Sequence, residues 1–314
     1  MRRLKIVYFG TPSFSADFLE MILKDRALPV EVAAVVTQPD KPVGRKQILT
    51  PPPVKIVAEK YRLPVYNKLH VTRYMLHVDI GLVYAYGELI PQEILAQAKF
   101  GFWNIHPSLL PKYRGPSPIA YPLILGDSET GVTLMKMDEQ LDHGSIVAQQ
   151  KTPIMPHETR SDLETKLTII GYQLFKRQIP KLIWDDTWQP QNHSLATHTR
   201  QLTKADGLIP FSVLQAALQG KNLAWKPAIS AQYYKLHVLQ LTTYYSLLAT
   251  IFNLFRGLSP WPGLWTKVKI DGQTKRLKII KIKIENLKMK IITVQLEGKK
   301  EVDFSTFNQA YGLF

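Results

Sequence analysis

The chain has 314 residues and no cysteine, with 45% hydrophobic and 21% charged residues, which predicts one large or two ordinary globular domains without disulfides or thiolate metal sites. Forty lysines and arginines against 25 acidic residues leave a net charge of +15, a balance that favours a polyanionic partner. No apolar run approaches the roughly 18–20 residues of a membrane span, and MRRLKIVYFGTP at the start reads as a strand, not a signal peptide; a cytoplasmic protein is expected.

In chain order, residues 5–10 read as a short buried strand, and Phe14, Phe18, Leu19 and Ile22 follow at helical spacing. Further strands are predicted at 30–38, 64–66 and 79–85, with helices at 69–77 and 91–98. Strands alternating with helices predict a doubly wound α/β fold. The first turn, Gly10-Thr11-Pro12, carries no GxGxxG fingerprint, so the fold is Rossmann-like without a dinucleotide. Residues 37–55, TQPDKPVGRKQILTPPPVK, make a long loop carrying Lys41, Arg45 and Lys46, and a loop of that length between strand and helix usually serves function.

The next strand ends in FWNIHPSLLPKYRG, residues 102–115. Asn104 and His106 are two apart and project to the same face at the carboxyl edge, where open α/β sheets bind ligands. An amide donor beside an imidazole suits a reaction that develops negative charge on a carbonyl oxygen, although a lone Asn-x-His is also compatible with a satisfied core histidine. After a strand at 129–137, Asp142 in MKMDEQLDHG is a third partner able to orient the imidazole. Asp138 and Asp142 offer too few ligands for a calcium-type loop, so no metal is expected, and His143 is read as peripheral.

A strand at 146–153 and a helix at 158–184 follow, the helix with Leu163, Leu167, Ile170, Leu174 and Phe175 on one face and Pro180 to kink or end it. Residues 185–198 have the composition of a linker, giving an expected division into 1–186, a linker at 187–206, and 207–314. Residues 263–300 hold 11 basic residues and 3 acidic ones. Within RLKIIKIKI the apolar phase changes from Leu277 and Ile279 to Ile280, Ile282 and Ile284, so a bulge at 279–280 would keep all five on one face, with Lys281 and Lys283 outward.

NIHPSLLPKYRG followed by MDEQLDHG resembles the folate-dependent formyltransferases, and QLTKADGLIPF, RGLSPWPGLWTKV and VQLEGKKEVDF extend the resemblance over nearly the whole chain. The loop at 37–55 looks like the insertion with which the tRNA-directed branch of that family enters the acceptor stem. That branch usually has Gly-Arg-Gly-Lys-Lys where this chain has Gly44-Arg45-Lys46-Gln47-Ile48, and Ile-Asp-Trp where it has Ile209-Pro210-Phe211. The resemblance implies catalysis by Asn104, His106 and Asp142. It implies a 10-formyltetrahydrofolate site at Tyr86, Gly87, Asp138, Ser108, Leu109, Leu110 and Pro111. It further implies initiator methionyl-tRNA as acceptor, met by Lys41, Arg45 and Lys46, with Lys281 and Lys283 as further candidates from their charge. A smaller, mainly β, OB-like C-terminal domain and a monomer complete the expectation, although 272–295 is short by a strand pair for such a barrel. Two other readings stay open: a formyltransferase of a sugar nucleotide or of glycinamide ribonucleotide, and an RNA-holding module without activity.

Overall fold

The structure, a computed structural model, describes residues 3–44, 46–67, 78–181, 188–221, 223–230, 247–286 and 288–314. Arg45, the expected helix at 69–77 and the far end of the expected helix at 158–184 lie outside the described residues. The chain forms two compact units: Met1–Pro118, Glu129–Pro153 and Leu163–Arg200 make the first, and Ile119–Ser128, Ile154–Asp162 and Gln201–Phe314 the second.

The first unit is built on a mixed seven-stranded sheet of order β5-β2-β1-β6-β7-β8-β9. Its strands are β1 (Leu4–Gly10), β2 (Val30–Val36), β5 (Val65–Tyr66), β6 (Ile80–Tyr84), β7 (Phe102–His106), β8 (Glu129–Lys136) and β9 (Ile146–Pro153). Strands β5 to β7 run parallel, and β8 and β9 close the edge antiparallel. Parallel strands are covered on both faces, which is why they read as largely apolar runs. Along β1 the period of two is visible in what each residue meets. Val7 and Phe9 join Val36, Val83 and Phe102 in one layer. Tyr8 turns to the other, where Phe18 stacks on it at 6.2 Å and lies 5.1 Å from Tyr84.

Helix α1 (Ser13–Lys24) supplies Phe18, together with Ala16, Leu19 and Ile22, from a single buried stripe. Helix α2 (Pro53–Lys60) follows a feature that the sequence showed only as a loop: β3 (Lys41–Val43) and β4 (Ile48–Thr50) pair as an exposed antiparallel hairpin. A short α3 (Gln92–Leu95) lies between β6 and β7. Helix α5 (Arg160–Gln178) buries Leu163, Leu167, Leu174 and Phe175 as its spacing requires, and ends two residues before Pro180. The chain order turns back between β1 and β6, so the carboxyl ends of β1, β6 and β7 open on the crevice where such sheets take ligands.

In the second unit, β10 (Leu264–Ile270), β11 (Gln273–Glu285), β12 (Lys288–Leu296) and β13 (Glu301–Asp303) form a four-stranded antiparallel sheet. The change of phase in β11 is a real irregularity of register: Ile279 pairs with Val294 and Lys281 with Thr293, leaving Ile280 as the extra residue. Leu277, Ile279 and Ile282 are buried, while Lys281 and Lys283 are exposed. Among the described residues, three helices of this unit, α6 (Phe211–Leu218), α7 (Leu247–Leu258) and α8 (Phe304–Tyr311), come from the C-terminal part of the chain. A fourth, α4 (Ala120–Leu125), joins them from the first half of the sequence, packed on α7.

Candidate active site

Strand β7 delivers Asn104 and His106 to one point, and the loop between β8 and β9 returns Asp142 to it. The loop is closed at its base by the Lys136 amide, which donates to the Ser145 carbonyl at 2.9 Å. Asn104 Nδ2 donates to Asp142 Oδ1 at 3.3 Å, and His106 Nδ1 faces the same oxygen at 3.5 Å. The second carboxylate oxygen, Oδ2, accepts the backbone N–H of Gly115 at 2.7 Å. His106 is 3% and Asp142 9% exposed, so these polar groups act on one another with little screening by water.

The imidazole is held at its other end, where Nε2 lies 3.1 Å from the Tyr113 carbonyl and donates to it. Its Nδ1 is beyond hydrogen-bond range of Asp142, which makes Nδ1 the nitrogen able to engage a reacting atom. Gly115 adopts φ +106, and a Cβ there would sit 2.7 Å from the Thr199 carbonyl oxygen. Only glycine therefore lets the chain bring this N–H to the carboxylate.

Residues 188–200, most of the expected linker, are part of this site's frame. Thr197 and Thr199 pair with the Tyr113–Gly115 backbone: Tyr113 N–H donates to Thr197 Oγ1 at 2.9 Å, and Thr199 N–H to the Arg114 carbonyl at 2.7 Å. Arg114, 5% exposed, directs Nε and Nη2 at Gln191 Oε1 (3.2 and 2.7 Å) and Nη2 at His193 Nδ1 (2.8 Å). Burial lowers the pKa of this guanidinium, and Asp142 followed by Asp138 pull it back up. His193 stacks on His143 with centroids 4.0 Å apart, and His143 Nδ1 bonds Asp138 Oδ2 at 2.7 Å. Nothing local in the sequence marks Arg114, Gly115 or Gln191, because their partners are distant in the chain.

The residues expected at a folate site divide. Tyr86 and Gly87 follow β6, and the Tyr86 carbonyl accepts from Thr11 Oγ1 (2.8 Å) and Gln38 Nε2 (3.2 Å). Gly87 has φ +84, and a Cβ on it would lie 2.7 Å from Gln38 Nε2, so the loop is fixed without a side chain at its turn. Burial pushes the Tyr86 phenol up to about 12, so it stays neutral. Asp138 is spent on its own loop, bonding the Gln140 N–H and His143. Ser108 and Leu110 are buried and tied from behind: Thr133 Oγ1 donates to the Ser108 carbonyl at 2.7 Å, and Gln149 Nε2 to the Leu110 carbonyl at 2.8 Å. Of that run only Leu109 and Pro111 are part-exposed. Lys41 and Lys46 stand exposed on the hairpin, well apart in the chain from Lys281 and Lys283 of the second unit.

A doubly wound sheet whose ligand edge carries an amide, an imidazole and a carboxylate around one point has the groups to stabilise negative charge developing on a carbonyl oxygen. The family model described as Formyl transferase matches residues 3–179. Methionyl-tRNA formyltransferases of Staphylococcus aureus strains JH1 and Mu50 are 34% identical over 328 residues, covering 95% of this chain and 93% of their own. Among solved structures, a 4-N formyltransferase from Francisella tularensis superposes with a TM-score of 0.60 at 16% identity, over 90% of this chain and all of that one (100%). An N-formyltransferase from Helicobacter canadensis, in complex with folinic acid and dTDP-3-aminofucose, gives 0.57 at 20% identity over 90% and 89%. The chain belongs to the formyl transferase family, and it is a transferase.

Proposed function

We propose that this enzyme transfers the formyl group of 10-formyltetrahydrofolate to the free amino group of methionine on initiator tRNA, preparing that tRNA for translation initiation. The observation that carries the acceptor is the 34% identity to methionyl-tRNA formyltransferases over 95% of the chain, because it runs through both units and not through the site alone. The basic hairpin and the charged second sheet support the same reading, since neither serves a small acceptor.

The residues present fit a folate. Gly87 opens the turn at the end of β6, and half-buried Met137 packs against a layer containing Tyr86 and Ile90. Leu89 and Leu141 are 67% and 54% exposed beside those two loops, apolar walls for a flat heterocycle whose edge the loop backbone would bind. The folate, when bound, supplies a formyl carbon already activated by attachment to nitrogen. As the amine forms its new bond to that carbon, Asn104 Nδ2 and His106 Nδ1 turn to donate to the oxygen that gains negative charge. Asp142 stabilises the imidazolium and relays the amine's proton, through water, towards the departing nitrogen.

The test is formylation by the purified chain with methionylated initiator tRNA, free amino sugars on nucleotides, and glycinamide ribonucleotide offered in parallel. Turnover confined to the tRNA is expected; preference for a small amine, or no transfer at all, would sink the reading. Lys281→Gln with Lys283→Gln should lower the salt slope of tRNA binding by up to about 2, at roughly 0.7–0.9 per phosphate neutralised. An unchanged slope would assign both lysines to solubility.

A further inference from the structure

Gly115 holds the carboxylate of Asp142, but the backbone of Asp142 is held by a side chain 49 residues further on. Gln191 Nε2 donates to the Asp142 carbonyl at 2.9 Å and to the Gly144 carbonyl at 2.8 Å. Its Oε1 accepts from Arg114 Nε and Nη2 at 3.2 and 2.7 Å. A primary amide has two N–H groups and two lone pairs, and all four are used here, in a side chain only 4% exposed.

What this amide restrains is a conformation the loop does not favour unaided. Asp142 sits at φ +51, in the left-handed region that residues with a Cβ adopt only rarely, Asp and Asn more readily than the rest. The two carbonyls bound by Gln191 flank His143, on either side of that turn. The residue on its other side, Arg114, directly precedes Gly115, whose N–H fixes Asp142 Oδ2. One amide thus ties together both supports of the carboxylate.

From these bonds we infer that Gln191 is a positioning residue for formyl transfer, clamping the 142–144 turn so that the Asp142 carboxylate meets Asn104 and His106. The clamp rests on the reading of Asp142 as a catalytic group. It makes 188–200 a working part of the site, since the segment that carries Gln191 also carries Thr197 and Thr199 against the Tyr113–Gly115 backbone.

Gln191→Glu separates the clamp from a merely structural role. The new carboxylate keeps the acceptor contacts to Arg114 and gives that buried cation a counter-charge, so folding is retained. It has no N–H for the Asp142 and Gly144 carbonyls, and presents a repelling oxygen to them. On methionylated initiator tRNA, kcat should fall about 10- to 100-fold, the scale of a displacement of about 1 Å at a reacting group, while the KM values for folate and tRNA and the Tm hold. In a cycle with Asp142→Ala, the double variant should be no slower than Asp142→Ala alone, because Gln191 acts through that residue. Native kcat in Gln191→Glu beside an inactive Asp142→Ala, or losses that simply multiply, would overturn the clamp. Native turnover in Asp142→Ala would instead overturn the catalytic reading of Asp142, and the clamp with it. Should Gln191→Glu fail to accumulate as folded protein, Gln191→Asn, one methylene short of the carbonyls, carries the same expectation and the same refutation.

Discussion

Asp142→Asn is expected to fold like the native chain and to transfer formyl groups at least 100-fold more slowly, read as the single-turnover rate at saturating substrates. The carboxylate accepts two hydrogen bonds, from the Gly115 N–H on Oδ2 and from Asn104 Nδ2 on Oδ1, and Oδ1 faces His106 Nδ1 at 3.5 Å. An amide of the same shape satisfies some of these, but it must turn an NH₂ toward a donor, and it brings no charge to stabilise an imidazolium. The substitution is chosen because Asn tolerates the left-handed backbone found at φ +51, so the loss is not confounded with strain. Asn104→Ala and His106→Ala should each lose about 10²–10³ for the missing donor, and folate binding should survive in all three. A single-turnover rate within a few-fold of native for Asp142→Asn would remove the carboxylate from the mechanism and leave Asn104 and His106 as a two-donor site.

That expectation could be reached from the sequence because Asn104 and His106 are neighbours on one strand, where a period of two decides which way they point. The parallel strands were legible for a similar reason: β6 is apolar throughout and β1 is apolar beyond Lys5, as strands covered on both faces tend to be. Even the bulge in β11 was written in the shift of apolar phase at 279–280. What sequence did not disclose was whatever depends on groups meeting from afar. Gln191 stands in a polar, proline-bearing stretch whose composition is that of a linker, and only the fold reveals that its amide faces two carbonyls and an arginine. The hairpin was hidden by its size, since strands of three residues leave no periodicity to read. Helix α4, short and apolar, gave no sign that it would pack with α7, more than a hundred residues away.

The hairpin supplies the second large expected effect. Replacing residues 42–49 by an Asn-Gly turn should raise KM for the tRNA on the order of 100-fold, and leave the KM for the folate and the melting temperature near native. Three facts set the expectation. Lys41 pairs with Thr50 across the base of the hairpin, so a two-residue turn can rejoin the strands without moving what lies below. The base is anchored separately, by the Lys55–Asp40 ion pair at 2.9 Å and by Gln38 on the Tyr86 carbonyl, and neither bond is touched. The tip spends apolar side chains on solvent: Val43, Ile48 and Leu49 are 55%, 62% and 64% exposed beside exposed Lys46. Covering three such side chains at roughly 25 cal/mol per Å², together with a few phosphate contacts from the basic residues, accounts for about 2–3 kcal/mol, and each 1.4 kcal/mol is tenfold in affinity. The competing account makes the hairpin a brace for the folate loop through Gln38. It predicts that the folate KM rises together with that of the tRNA, and such a parallel rise would move the hairpin from acceptor recognition to support of the site.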